Sequence, residues 1–283
     1  MHADAGLRDL APGNHYLKLE NLQRTGSFKD RGALNCMLRL TEAERARGVV
    51  TASAGNHAQA VAYHGGRLGI SVTVVMPETA PLIKVTNTRG YGADVIQVGT
   101  ILDDAAAEVQ RLAAEEELSI IHAFDDEDVI AGQGTMGLEI LEQVPDVSVV
   151  VVPVGGGGMI SGIACAIKEI KPDVRIIGVE ADAAASAKAS RDAGEVVKIA
   201  VSDTLADGIV TKRIGEITYP LIERYVDELV SVGEEEIAAA ILLLIEREKT
   251  VAEGAGAVGL AALMTGSVTL SETDRAVLLL SGG

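Results

Sequence analysis

Short runs of β-branched and aliphatic residues recur along this chain with helix-like stretches between them, and that alternation leaves few folds open. The runs are Val49-Val50-Thr51, Val72-Thr73-Val74-Val75, Val95-Ile96-Gln97-Val98, 149–152, Arg175-Ile176-Ile177-Gly178-Val179 and 277–280. Apolar runs of this length suit parallel strands buried on both faces. Apolar residues return at three- and four-residue spacing over 57–68, 102–116, 159–170 and 234–249, which predicts helices there. The class is therefore α/β. Aromatic residues are only 2% and Trp is absent, so aliphatic, Ala and Gly packing must fill the core.

A chain of 283 residues holds a large core and is expected as two lobes or domains. We expect a large domain from 1–47 with 126–283 and a small one from 48–125. The balance of 24 basic against 41 acidic residues gives a net charge of −17, with no basic run. Nucleic acid and an anionic membrane are thereby disfavoured as partners. No transmembrane stretch or signal peptide is visible, which points to the cytoplasm. Cys36 and Cys165 lie far apart without a CxxC partner and read as packing residues. The five histidines form no HExxH motif.

Three turns that follow strands are rich in small residues: 52–56, 155–158 and 281–283. In open parallel sheets, ligands sit outside the C-terminal ends of the strands, so these turns mark the expected site. Gly155, Gly156, Gly157 and Gly158 precede a helical pattern that opens with Met159, and backbone N–H groups there can wrap a phosphate. A dinucleotide fingerprint is one alternative, since Glu180 stands where a ribose-binding acid is expected, although the glycine spacing fits it poorly. A purely structural glycine turn is another. Ser53, Ala54, Gly55, Asn56 and His57 supply donors at a second helix start, suited to a carboxylate, with a plain capped helix as the alternative.

Lys29 completes the set. Thr25 and Ser27 are natural N-cap residues, and Ala33, Leu34, Met37 and Leu38 continue with helical spacing, so a helix is predicted to start near Lys29. The positive end of a helix disfavours an ammonium ion, which would keep part of the amine neutral and nucleophilic. A phosphate cradle, a carboxylate cradle and an activated lysine together match pyridoxal 5'-phosphate acting on an amino acid.

The order of motifs carries this further. Residues 18–29 (KLENLQRTGSFK), 53–59 (SAGNHAQ), 132–135 (GQGT), 153–158 (PVGGGG), 204–208 (TLADG), 253–257 (EGAGA) and 281–283 (SGG) resemble the serine/threonine dehydratase (threonine ammonia-lyase) family of fold-type II pyridoxal-phosphate enzymes. The resemblance runs from Tyr16 to the last residue. It implies two open, twisted, mostly parallel sheets flanked by helices, like the tryptophan synthase β chain, with the cofactor in the cleft between lobes. It also implies that Lys29 forms the imine with the cofactor and later moves the Cα proton, and that Phe28 packs beside the ring. Asn56 would bond the phenolic oxygen, and Gly155, Gly156, Gly157, Gly158 and Met159 the phosphate. Glu253 would lie near the cofactor's edge, or simply start a helix. Ser281 would face the pyridine nitrogen. Ser53, Ala54, Gly55, Asn56 and His57 would form the substrate site.

The activity implied is β-elimination from L-threonine, and L-serine, to 2-oxobutanoate or pyruvate plus ammonia, a reaction that belongs to amino-acid metabolism and isoleucine biosynthesis. Related serine racemases carry a serine at Ala54 that protonates the opposite face of Cα, and a methyl group has no such proton to give. The alternatives are a hydroxy-amino-acid racemase of the same family and a catalytically impaired, trimmed cofactor-binding scaffold. Family habit suggests a homodimer or homotetramer. Glu180 and the Ala184 carbonyl fall where some relatives bind a divalent cation, but Ser186 replaces an aspartate there, so no metal is expected. Asp30 directly follows Lys29 where relatives usually carry an aliphatic residue. Buried, it would need a partner such as Arg31, and it could pull the lysine toward its charged form.

Overall fold

A computed structural model describes residues 10–283 and the backbone of residues 2–3. The strands in chain order are β1 (His2–Ala3), β2 (Asn14–Leu19), β3 (Val49–Ala52), β4 (Val72–Met76), β5 (Asp94–Gln97), β6 (Ser119–Ile120), β7 (Val149–Pro153), β8 (Arg175–Ala181), β9 (Glu228–Val232) and β10 (Arg275–Leu280). The α-helices are α1 (Lys29–Arg39), α2 (Glu42–Arg47), α3 (Asn56–Leu68), α4 (Leu82–Gly90), α5 (Leu102–Glu116), α6 (Glu127–Gln143), α7 (Gly158–Lys168), α8 (Ser186–Ala193), α9 (Thr218–Tyr225), α10 (Glu234–Leu243) and α11 (Gly254–Met264). They form two compact units, Met1–Phe28 with Gln133–Gly283, and Lys29–Gly132.

The large unit is built on a six-stranded sheet in the order β1-β2-β10-β7-β8-β9. Only β1 pairs antiparallel. Every residue of β7 is buried, as its unbroken valine run requires, and each such valine contributes about 1.5–3 kcal/mol of burial before entropy is charged. One face of the sheet packs in a cluster with Ile237, Ala240, Val258 and Leu260, and the other with Met136, Ile140, Ile160 and Ile163. The glycines of α11 allow close approach, since a Cβ on Gly256 would stand 2.7 Å from the Gly282 carbonyl oxygen.

The small unit carries a four-stranded parallel sheet in the order β5-β4-β3-β6. Ala33 and Met37 of α1 share one apolar cluster with Ala58, Val61 and Ala62 of α3, while α5 supplies Ala105, Val109 and Leu112 to another. No helix among the described residues is long and apolar enough to cross a membrane.

Three local features differ from the sequence reading or add to it. Helix α1 starts at Lys29 as expected, but Ser27, expected as a capping residue, forms a β-bridge with Gly282. The stretch 234–249 is not one α-helix: α10 gives way to a π-helical turn at Leu244–Glu248, ended by Lys249 at φ 54°. Strand β9 was hidden because its alternating Glu-Leu-Val-Ser-Val is only half buried.

Candidate functional site

The three small-residue turns follow β3, β7 and β10, each at a C-terminal strand end. The turn after β7 is built almost entirely of backbone. Gly157 precedes α7 at φ 94°, a left-handed conformation, and no side chain caps the helix. A Cβ there would meet Thr218 Oγ1 at 2.7 Å. The Thr218 hydroxyl, fully buried, donates to the Gly156 carbonyl at 2.8 Å, and the Gly215 N–H donates to the same oxygen at 3.2 Å. A Cβ on Gly155 would stand 3.0 Å from the Ile209 backbone. The turn is thus wedged against 209–218 while the first N–H groups of α7 receive no side-chain acceptor, which is the donor arrangement of an anion cradle. Met159, on the first turn of α7, is buried.

The turn after β10 gathers three predicted residues of the large unit. The Phe28 N–H donates to the Ser281 carbonyl at 3.0 Å, and the Glu253 N–H to that of Gly282 at 3.0 Å. Glu253 occupies the position before α11, so the expected helix-start role is visible, although its side chain makes no cap bond. A Cβ on Gly208, in the TLADG motif, would lie 3.0 Å from Glu253 Oε1. Ser281 is buried, and the Ser27 hydroxyl, also buried, has no hydrogen-bond partner among the described residues. Buried neutral hydroxyls and a glycine turn, both in the large unit, fit a phosphate ester with an uncharged ring nitrogen.

In the small unit, polar side chains do the corresponding work. Ser53 Oγ accepts the N–H groups of Gly55 at 3.2 Å and Ala58 at 3.3 Å, tying the turn after β3 to the start of α3. Gly55 is the residue before α3, Asn56 is its first residue, and Ala54 is half-buried. His57 is buried, with Nε2 donating to the Ile121 carbonyl at 2.9 Å. Burial, and after it the Lys29 charge, pushes the His57 imidazole down to about 3, so the ring is neutral.

Lys29 is the first residue of α1, and its Nζ donates to the Ala123 carbonyl at 2.7 Å. Thr51 Oγ1 donates to Ile121 O at 2.8 Å, and the backbone N–H of Asp125 donates to His122 Nδ1 at 2.7 Å. The segment 121–123, just beyond β6, is therefore a hub for Lys29 and His57. Sequence reasoning missed it because the groups used are main-chain carbonyls, which leave no residue signature; it also missed Thr218 and the contact described next.

Asp30 is buried beside Lys29, and its Oδ1 lies 3.2 Å from Nε2 of the buried His64 on α3. That separation is an ion-pair distance, but the angle is too poor for a hydrogen bond. Glu180, wholly buried at the end of β8, accepts the N–H groups of Ala187 at 2.7 Å and Lys188 at 2.8 Å, so it caps α8 with both oxygens. Burial outweighs those bonds and pushes its carboxyl up to about 7. The dinucleotide alternative finds this acid already engaged. Ala184 is buried in a short 3-10 turn, and Ser186 Oγ lies 3.3 Å from Thr211 Oγ1. Cys36 and Cys165 are free thiols, and burial pushes that of Cys36 up to about 12.

Residues 5–282 match the family described as pyridoxal-phosphate dependent enzyme. An L-threonine ammonia-lyase of Thermotoga maritima is 54% identical over 258 residues, which are 91% of this chain and 64% of that protein. The chain thus spans slightly less than two thirds of that relative's length. The solved structure of the processed form of threonine deaminase isoform 2 from Solanum lycopersicum superimposes with a TM-score of 0.94 at 41% identity, covering 98% of this chain and 81% of that one. A serine racemase from Dictyostelium discoideum gives 0.93 at 37% identity, covering 99% and 91%.

Proposed function

The chain belongs to the pyridoxal-phosphate dependent enzymes, and on that premise we propose that it eliminates water and ammonia from L-threonine, and from L-serine, to give 2-oxobutanoate or pyruvate. One observation carries the reading. Lys29 heads α1 with its amine on the Ala123 carbonyl, and the neighbouring His57 imidazole is held neutral chiefly by burial. With that ring's Nε2 donating to Ile121, the Lys29 amine, once it has given up its own proton, would be the base at this turn.

The bound cofactor would supply the electron sink for the bond broken at Cα. Gly155, Gly156, Gly157, Gly158 and Met159 would hold its phosphate through backbone N–H groups at the open start of α7. Phe28 would pack on the ring, and Glu253 would lie at its edge. Asn56 would bond the phenolic oxygen. Ser281 would face the pyridine nitrogen and, as a neutral hydroxyl, leave it unprotonated, which suits loss of a β-substituent. Ser53, Ala54, Gly55, Asn56 and His57 would form the substrate site, with His57 holding the turn to Ile121. Lys29 would carry the covalent link to the cofactor and then move the Cα proton. The Ala54 methyl cannot return a proton to the opposite face, which favours elimination over racemisation. The same reading carries a homodimer or homotetramer and a cytoplasmic setting.

Purified protein loaded with the cofactor should release 2-oxobutanoate from threonine, and borohydride should fix the cofactor to the peptide containing Lys29. Lys29→Ala should lower turnover on the order of a thousand-fold. Cofactor binding without release of either oxo acid would leave a scaffold, and substantial D-serine from unmodified protein would make it a racemase.

A further inference from the structure

Helix α10 buries one side and leaves the other exposed. Ile237, Ala240 and, one turn on, Leu244 lie in the core of the large unit. At about 3.6 residues per turn, Glu235, Ala239 and Leu242 fall on the opposite side, and all three are exposed, Leu242 by 60%. One exposed leucine needs no explanation, since scattered apolar side chains are normal on a surface. Its surroundings here do need one.

At the start of the helix, Glu234 Oε2 accepts the Leu205 N–H at 2.7 Å, which sets the exposed Leu205 beside it. Exposed Ile245 continues the helix into its π-helical turn. Past that turn the Thr250 N–H donates to the Leu244 carbonyl at 3.2 Å, and the Asn21 side-chain amide donates to Thr250 Oγ1 at 3.0 Å and to the Val251 carbonyl at 2.7 Å. The exposed Val251 and Leu22, the latter 70% exposed, are thereby brought to this end. Five large aliphatic side chains gathered along one element mark an interaction surface. Charge frames it. Glu235 stands in the first turn of α10 and Lys249 ends the π-helical turn, both exposed. The Lys249 ammonium rests on the Glu246 carbonyl, and neither charge has an ion-pair partner among the described residues.

We propose that this face is where two copies of the chain meet, with α10 antiparallel to its copy about a two-fold axis beside Leu242. A two-fold contact must be complementary to itself. Centred on Leu242, antiparallel pairing sets the two Leu242 side chains together, Ala239 against Ile245 and Ala238 against Glu246 of the other copy. It also sets Glu235 against Lys249, and symmetry makes that charge pair twice. Leu205, Val251 and Leu22 extend the apolar contact beyond the helix, as a stable interface of about 1,000 Å² or more requires. The inference rests on the self-association carried with the proposed function and names its surface.

The test is sedimentation of the cofactor-loaded full chain over a range of concentrations, with circular dichroism to confirm that each variant is folded. The native chain should sediment as a dimer or tetramer. Leu242→Asp should weaken association at least about a hundredfold. Glu235→Lys and Lys249→Glu should each weaken it about fivefold or more, and the two together should return it to within about twofold of the native chain. A local disturbance of α10 would not be repaired by a second charge reversal. Association unmoved by Leu242→Asp, or a double charge variant that does not recover, overturns the proposal. If Leu242→Asp does not fold, the charge series decides: loss in both single variants with recovery in the double supports the proposal, and any other pattern overturns it. A native chain that stays monomeric sinks self-association itself and this surface with it, whereas a native oligomer indifferent to all these variants sinks the surface alone.

Discussion

The turn that opens α7 and the turn that opens α3 both follow a buried parallel strand, yet they are made from opposite materials. Into α7 the chain runs four consecutive glycines, the last of them the helix's first residue, with no side-chain cap and with Thr218 and Ile209 as wedges. Into α3 it uses Ser53 on two backbone N–H groups and, in the helix's first turn, a buried His57 on Ile121. The first turn therefore depends on backbone shape, and the second on side chains whose charge state matters. A fixed anion such as a phosphate asks only for N–H groups in place, whereas a substrate that enters and leaves asks for replaceable, oriented side chains.

The largest effect expected from this contrast is at Gly157. Alanine there must adopt φ 94° and bring its methyl to 2.7 Å from Thr218 Oγ1 and 2.9 Å from Ile222. Strain and overpacking together should cost about 2–4 kcal/mol. Gly157→Ala should melt well below the native chain and hold the cofactor weakly, as judged by thermal melting and by equilibrium dialysis. Native behaviour in both would mean that backbone shape is not what this turn supplies.

Next in size are two buried titratable groups, one in each unit, whose effects run in opposite directions with pH. The Glu180 carboxyl is raised from 4.5 to about 7, burial being the main cause. Its contribution is complete below about 4.5 and falls as pH rises toward about 7, because the unfolded chain ionises while the folded one keeps its proton. His57 is lowered from 6.5 to about 3 by burial and then by Lys29. Its contribution is complete above about 6.5 and falls as pH drops toward about 3, since the unfolded ring takes a proton that the folded ring refuses. Each group bends stability by at most about 1.4 kcal/mol per pH unit. Melting curves from pH 4 to 8 should show Glu180→Gln flattening the loss on the neutral side and His57→Gln the loss on the acid side. Glu180→Gln should also be less stable at low pH, because one amide oxygen replaces two carboxyl oxygens on the α8 N–H groups. Parallel curves for a variant and the native chain would remove that group from the account.

The same contrast decides what could be read from sequence. The glycine run, the SAGNH turn and the lysine before a helical pattern were visible, because each combines residue types with few other uses. So was the parallel α/β class, since valine runs such as 149–152 have nowhere else to go. The side-chain ties were not visible. Lys29 and His57 bond main-chain carbonyls of Ala123 and Ile121, which any residue would supply, and His64 meets Asp30 only because α1 packs on α3. Glu180 is weighed as a ribose or cation ligand, and neither is expected, because its place at the end of β8 is legible, while the N–H groups it caps, seven and eight residues on, are not.

The smallest effect expected is at Gly55, the counterpart of Gly157 at the start of α3. Gly55 has φ −134°, outside the left-handed region, and a Cβ there would meet no atom within 4 Å. Alanine loses only the modest preference of this position for glycine, so Gly55→Ala should cost less than about 1 kcal/mol in thermal or denaturant melting. Its methyl would nonetheless stand in open space beside Ser53 and Asn56, where the substrate carboxylate is proposed to sit. KM for threonine should therefore rise while cofactor retention stays native, the reverse of the pattern expected at Gly157. A Gly55→Ala chain that melts early or loses cofactor would show that this turn, too, is held by backbone shape, and the distinction between the two turns would fall.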